Sequence, residues 1–566
     1  MNPTHYVTPY ERGNRNQTTT WAECVAWYER LATDFPQVLR FFRIGVSDNG
    51  VPLHAGVISA DGVLDRASIQ AAGRCVFFNN NGIHPGEPEG IDTCMALVRD
   101  FCTQPQRLAA LGSTVFLFIP IYNVDGCLNR NASSRVNQVG PETFGFRGNG
   151  RNLDLNRDFV KCDSLSAQAF NRFFTEWDPE VMVDTHTSNG ADYPYTMTLI
   201  HTQSDKLGGT LGAFLRETMV PALYADMARR GWPTSPYVHP IKDSPDDGIA
   251  HMLDVPRFST GYAALHHTIG FMPESHMLKP FADRYEATRA LVETVLDFTV
   301  AHAGRIQALR RETRALALRR GHWPIQWQID MENPVMTRFR GYQAVYRPSR
   351  IGNYQRLAYD RTQTWERDIP CYERCTDVLQ VPAPRAYLVP QAWPEVIDRL
   401  RWNGLQVHRL DADRPFTVQA CRIDAVQSRP QAYEGRLFHD RVELTRETRQ
   451  HVGRRGDWLV PLDQTRARYA VETLEPQAHD SLFRWGFFNS ILEQKERYSD
   501  YVFEDTAAEM LEQEPELRAA FDAWKQAHPE RLSDQTAVLD FLFAHGRRHH
   551  EPSWRLYPVM AVMEPV

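Results

Sequence analysis

The sequence has no basic surplus, no long apolar run and no regular set of cysteines, and each shortage excludes a class of function. Sixty-three Lys and Arg against 70 Asp and Glu leave a net charge of −7. A nucleic-acid binder normally carries a basic excess, so no nucleic-acid partner is expected. The longest apolar run, "VFLFIPIY" at Val115 to Tyr122, is far short of the roughly 20 residues that a membrane helix needs. No membrane partner is expected either. The nine cysteines are scattered, and the closest pair, Cys371 and Cys375, is a C-x3-C without a second pair. That pattern argues against a disulfide framework. The opening "MNPTHYVTPYERGNRNQTTTW" has no apolar core of the signal-peptide kind. A cytoplasmic location is the expectation, with a periplasmic or secreted one if a leader had been trimmed. No G-x-S-x-G elbow occurs, which disfavours a serine hydrolase. Repeats and low-complexity linkers are missing as well.

At 566 residues the chain is long enough for two domains, or for one large domain with an appended module. Its first part alternates helical and strand patterns. "WAECVAWYERLATDF" (21–35) has helical spacing behind Thr20 as N-cap, and "FFRIGVSDNGVPLHAGVIS" reads as two strands around an Asn-Gly turn. Buried-type strands are predicted at 75–79, 115–121, 181–184 and 268–272, with helices such as 91–102 between them. Short apolar runs alternating with helices predict an α/β fold, a mixed, mostly parallel sheet covered on both faces. A long helical segment, 284–320, ends at Gly321, where the composition changes. We therefore divide the chain into a catalytic unit, 1–321, and a C-terminal α+β accessory region, 322–566. In the latter, 322 to about 440 predicts short alternating strands, "AYLVPQAWPEVIDRLRWNGLQVHRL" a strand-helix-strand unit, and the end from Arg466 mostly helix. The tail cluster "HGRRHH" (545–550) reads as a solvated helix end rather than a metal site.

The informative stretch is "NNNGIHPGEPEG" (79–90), directly after the apolar run "RCVFF". His84 and Glu87 sit where the carboxyl end of a strand meets a helix, the place where open α/β sheets bind ligands. Gly82 and Gly86 give the backbone freedom to turn both side chains toward one point. A catalytic zinc needs three protein ligands and an open position, and two histidines with a glutamate are a recurring set. "PEVMVDTHTSNG" supplies the second histidine, His186, just beyond a buried-type strand. Hydrolysis also needs a proton acceptor, and "HHTIGFMP" predicts a third strand ending at Glu274, behind apolar residues that would partly desolvate its carboxylate. Between these motifs lies "FRGNGRNLDLNRDF" (146–159). Arg147, Arg151 and Arg157 there suit an anionic substrate group or a developing oxyanion. Leu153, Leu155 and Phe159 alternate with Asp154, Asn156 and Asp158, which predicts a strand with one buried face.

With these motifs in this order, residues 6 to about 300 resemble the zinc carboxypeptidases of the carboxypeptidase A type. The entry segment "WYERLATDFPQVLRFFRIGVSDNGVPL" is similar too. The resemblance implies one zinc per chain held by His84, Glu87 and His186, with Glu274 as general base. It implies that Arg147 polarises the scissile carbonyl, that Asn156 and Arg157 hold the substrate's terminal carboxylate, and that Asp154 orients the first histidine. Arg135 and Arg151 are further candidates for the oxyanion role. Asn152 stands where the family has a glycine. The family's mobile tyrosine has no clean match, since Tyr262 in "STGYAALHH" is close to Glu274 in sequence, and Asp254 in "HMLDVPRF" fits the specificity-residue pattern poorly. The C-terminal part, including "GDWLVPLDQTRARYAVETLEP" and "WGFFN", resembles regions appended to some bacterial members, which implies a packing or gating module. A metallocarboxypeptidase acting on peptides is therefore expected. The alternatives are a zinc amidohydrolase of small N-acyl amino acids on the same fold, an enzyme for peptidoglycan peptides, and an inactive peptide-binding protein. Glu274 argues against the last, because a binder needs no base.

Overall fold

Phe77 and Phe78 are consecutive strand residues, so they point to opposite faces of a sheet, and both are fully buried. Phe78 packs on Phe170, Phe173 and Phe174 of the helix Leu165–Trp177. Phe77 stacks on Phe116, which meets Phe101 of the helix Glu89–Thr103. Helices thus cover both faces of the sheet, and its inner strands are apolar without alternation. The structure, a computed structural model, describes residues 6–548 and 552–564. His549 and His550 of the tail cluster lie outside the described residues.

The central sheet runs in the order Leu39–Val46, Pro52–Ile58, Val115–Ile119, Val76–Asn80, Val181–Asp184, Ile269–His276, Met197–His201, Thr234–Pro236, and His186–Ser188 also pairs with Ile269–His276. The four strands from Val115–Ile119 to Ile269–His276 are parallel neighbours, and antiparallel pairs flank them. The entry helix spans Trp21–Asp34 behind a reciprocal Thr20–Glu23 cap, and Gly50 turns the first hairpin at φ +77°. The third predicted strand is longer than 268–272. It continues through His276, so Glu274 lies inside it rather than at its end. The predicted strand at 153–159 is also corrected. Asp154 accepts a hydrogen bond from the Asn156 N–H at 2.8 Å and caps a single 3₁₀ turn, Leu155–Arg157. Asp154, Asn156 and Asp158 are buried along with the apolar residues between them. Polar side chains that satisfy the local backbone here override the period-2 pattern.

Beyond the helix Phe281–Ala317, the strands are long rather than short. Val335–Pro348 and Gln355–Tyr372 form an antiparallel ribbon, rooted by His322–Ile329 paired with Cys375–Pro382. A six-stranded sheet follows, in which Arg414–Ser428 and His439–Gly453 are neighbours. Three helices, Asp500–Gln513, Pro515–Ala527 and Gln535–His545, close around their own apolar cluster. One core runs across residue 321, joining Phe77 and Val181 to Ile325, Tyr387 and Tyr469. All nine cysteines are buried and free. No described helix is long and apolar enough to cross a membrane.

Gly90 shows how tightly the site-bearing loop is seated. A Cβ there would overlap Thr185 Oγ1 and Cβ and crowd Asn81 Oδ1, so the helix start would have to lift off the strand ends. Gly90→Ala is expected to destabilise the fold by about 1–3 kcal/mol, the range for overpacking, read as a lower denaturant midpoint with an unchanged m-value.

Candidate metal centre and substrate pocket

The loop between Val76–Asn80 and Glu89–Thr103 carries His84 and Glu87, and Gly82 takes the left-handed φ of +64° that lets it leave the strand. His186 arrives on the neighbouring strand end. The candidate donor atoms of His84, Glu87 and His186 lie within 4.8 Å of one another, and all three side chains are buried. Glu87 sits between the rings. Its Oε1 is 3.2 Å from His84 Nδ1, and its Oε2 is 3.0 Å from His186 Nδ1. Burial pushes the Glu87 carboxyl up, but the Arg135 guanidinium and the two imidazoles more than offset this and hold it well below its ordinary range.

Each imidazole has its far nitrogen on a carboxylate. His84 Nε2 is 2.8 Å from Asp154 Oδ1, and His186 Nε2 is 3.1 Å from Asp184 Oδ2. Asn80 donates to Asp184 Oδ1 at 2.8 Å, which fixes that carboxylate in turn. When Nε2–H donates outward, Nδ1 presents its lone pair inward, the arrangement that metal-bound histidines adopt. His84 Nδ1 is buried with no hydrogen-bond partner. A buried acceptor left open beside a carboxylate and a second imidazole fits a zinc ion of the two-histidine, one-glutamate kind.

Register brings Glu274 to the same place. Glu274 pairs directly with His186 across parallel strands, so both side chains project on one face. Burial pushes the Glu274 carboxyl up to about 7, with His186 opposing the shift and the nearby Glu87 carboxylate adding to it. Arg135 donates to Glu87 Oε1 at 2.5 Å and to the Thr187 carbonyl at 2.8 Å. Arg147 donates to Asp154 Oδ2 at 2.9 Å and to Glu87 Oε1 at 3.2 Å. Both arginines line the pocket, whereas Arg151 turns away and donates to the Asp163 carbonyl. Asn152 holds a left-handed φ of +57°, which asparagine tolerates better than most residues. That accounts for an asparagine at this position.

The pocket, of about 220 Å³, is lined by His84, Glu87, His186 and Glu274 together with Asn156 and Arg157. Ile200, Met252, Phe258 and Met272 give it an apolar wall. The Arg157 guanidinium stacks over Phe258 at 4.5 Å and donates through Nε to Tyr433 Oη at 3.1 Å. Asp254 is no part of the wall. It is fully buried and paired with Lys206 at 2.8 Å. Tyr262 is also excluded, since it donates its hydroxyl to Asn403 at 2.7 Å inside the core.

Four site residues are not among those the sequence analysis names. Tyr237 lines the pocket, and burial followed by the Glu274 carboxylate pushes its hydroxyl up. No motif marks it. Asp184 was open to reading, two residues before His186 at the end of a buried strand. Tyr433 and Glu434 come from the accessory region. Glu434 Oε2 accepts from the Asp154 N–H at 2.8 Å across 280 residues of sequence, a contact that no local pattern announces.

Residues 24–206 match the family model of the zinc carboxypeptidases. The matched segment holds His84, Glu87 and His186 and ends before Glu274. Carboxypeptidase 2 of Trichophyton equinum is 22% identical over 423 residues, 72% of this chain and 72% of that protein. Carboxypeptidase 2 of Trichophyton rubrum is equally similar over the same shares. Among solved structures, the metallo-carboxypeptidase from Burkholderia cenocepacia covers 51% of this chain and 70% of its own at 14% identity and a TM-score of 0.38. The carboxypeptidase A from Helicoverpa armigera covers 52% and 74% at 15% and 0.37.

Proposed function

We propose that this chain is a zinc-dependent metallocarboxypeptidase that removes residues from the C-termini of peptides. The observation that carries this reading is the set His84, Glu87 and His186 with Glu274 in register beside it, in a pocket that Asn156 and Arg157 also line. The enzyme is a hydrolase. One zinc held by His84, Glu87 and His186 would supply a Lewis acid that polarises the scissile carbonyl and makes water nucleophilic near neutral pH.

The chain's own groups divide the remaining work. Arg157, with a free Nη2 among the described residues, and Asn156 bind the terminal carboxylate, so that only the last peptide bond reaches the reactive end of the pocket. The C-terminal side chain rests on Ile200, Met252 and Met272. With Asp254 neutralised by Lys206, apolar residues are favoured there. Arg147, helped by Arg135, faces the carbonyl oxygen and stabilises the charge that grows on it. Glu274 takes the proton from the attacking water and returns it to the leaving amine. Tyr237, beside Glu274, is a further donor to the reacting groups. Asp154 and Asp184 keep the two imidazoles turned. An adjoining cavity of about 650 Å³ leaves room for a peptide's acyl side, which favours peptides over small N-acyl amino acids. Residues 1–321 make up the catalytic unit and 322–566 the accessory region. The nine free, buried cysteines suit a reducing, cytoplasmic setting.

The test is metal content together with hydrolysis of matched free and C-terminally amidated peptides, before and after chelation. About one zinc per chain and chelator-sensitive release of single residues from the free peptides is the expected result. Zinc with cleavage of small N-acyl amino acids only would replace the peptidase by the deacylase. Arg157→Ala is expected to lower kcat/KM on free-carboxylate peptides by about 10- to 10²-fold, what loss of a charge-assisted hydrogen bond of roughly 1.5–3 kcal/mol amounts to. Amidated peptides should lose little, and equal losses on both would remove Arg157 from the terminus.

A further inference from the structure

The accessory region sends one turn into the substrate site. Between the strands Arg414–Ser428 and His439–Gly453, Tyr433 and Arg436 exchange backbone hydrogen bonds of 2.8 and 3.1 Å around Glu434 and Gly435. Both central residues have positive φ, +51° and +78°, which makes this a type I′ turn. Such turns favour Asn, Asp or Gly at the first central position, and a glutamate there carries a conformational cost. The turn is nevertheless fixed on the catalytic unit. Arg436 pairs with Asp163 through two contacts of 2.6 Å, and Tyr433 and Glu434 bind Arg157 and the Asp154 backbone.

Glu434 also lines the 650 Å³ cavity that adjoins the pocket across Arg135, Arg147 and Asn189. The charges in that cavity are otherwise committed. Arg135 is held by Glu87, Arg147 by Asp154 and Glu87, and Asp154 by His84 and Arg147. Glu434 makes no ion pair among the described residues, and its one side-chain hydrogen bond uses Oε2, leaving Oε1 free. Here a half-buried carboxylate in a costly backbone conformation lines the adjoining cavity, where, on the carboxypeptidase reading, the acyl side of a substrate would lie.

We propose that Glu434 is a specificity-determining residue that binds a cationic group of the substrate on the acyl side of the scissile bond. That group is a Lys or Arg side chain, or the α-ammonium of a dipeptide. The accessory region is then a contributor to substrate choice and not only packing. This inference rests on the carboxypeptidase reading for the direction in which the peptide lies.

The test uses the zinc-loaded full chain and peptides with one C-terminal residue, carrying Lys, norleucine or Glu at either of the two preceding positions, N-acetylated or free. At one of these positions, or for a free N-terminus, the cationic peptide is expected to exceed its neutral counterpart in kcat/KM by about tenfold, the equivalent of ~1.4 kcal/mol. In Glu434→Gln that ratio should fall to about one, and Glu434→Lys should favour Glu. Glu434→Asn, whose side chain suits the left-handed turn, should lose the preference while keeping the wild-type Tm, which separates charge from folding. The acetylated and free arms distinguish the side chain from the α-ammonium. A wild type without cationic preference, or a preference that survives in Glu434→Gln, overturns the proposal. Affinities of the same peptides for zinc-loaded Glu274→Gln supply a readout that needs no turnover. Cationic preference in binding with no hydrolysis by the wild type overturns the peptidase reading and supports the subsite, and hydrolysis of every peptide at equal rates does the reverse.

Discussion

Glu274→Gln is expected to leave about one zinc per chain and lower kcat by about 10³- to 10⁴-fold, the upper part of the range for a positioned acid–base group. The substitution keeps the shape of the side chain and removes only its capacity to take a proton. Glu274 is 9% exposed and pairs with His186 across the sheet, and among the described residues lining the pocket the one other carboxylate is Glu87, which belongs to the donor set. Burial with Glu87 alongside holds its carboxyl up to about 7 in the metal-free protein. A bound dication lowers that value. The group accepts a proton only when ionised, so kcat/KM should fall as pH drops through its pKa, with the acid limb below 7. The limb should disappear from the residual activity of Glu274→Gln. A variant with near-wild-type kcat, or one that keeps the limb, would take Glu274 out of the base role.

His186→Ala is expected to abolish stable zinc binding and to reduce activity to background. Losing an outer partner of a metal-bound histidine costs about 10–100-fold in affinity, and losing the donor itself should cost more. Two donors would remain, and the Glu87 carboxylate would lose its neighbour at 3.0 Å. Dialysis against a metal buffer followed by elemental analysis reads the affinity. Thermal unfolding gives an independent check, because a ligand at 1,000 times its Kd stabilises the folded state by about 4 kcal/mol. Zinc should therefore raise the Tm of the wild type and not that of His186→Ala. Equal zinc content in the two proteins would mean that a different set of residues holds the metal.

Both effects trace to residues that local pattern made visible. His84 and Glu87 were legible not from the His-x-x-Glu spacing alone, which is common in loops, but from its place where a strand's carboxyl end meets a helix, with a second strand-end histidine, His186, to join them. The entry helix was legible because Thr20 and Glu23 satisfy each other's backbone N–H groups within one turn. Elements failed where local and distant forces compete. The segment around Asp154 has the alternation of a strand, yet Asp154 and its neighbours hydrogen-bond their own backbone and bury polar and apolar residues alike. The strand carrying Glu274 extends past its proline because it gains partners, His186–Ser188 on one side and Met197–His201 on the other. Neither partner is near it in sequence.

By itself, then, the sequence determined the inventory: a mixed α/β sheet buried on both faces, and the candidate side chains for holding a metal, moving a proton and binding a carboxylate. Periodicity, caps and turn chemistry are short-range, and they are written within a few residues. Only the tertiary structure decided which of those side chains meet. It set Glu274 beside His186 through strand register and aimed both Nδ1 atoms inward through Asp154 and Asp184. It removed Arg151, Asp254 and Tyr262 from the site and brought in Tyr237. It also carried Glu434 across 280 residues to the backbone of Asp154. Convergence of this kind depends on strand pairing and on packing of distant segments against one core, and those contacts have no signature in any single stretch of the chain.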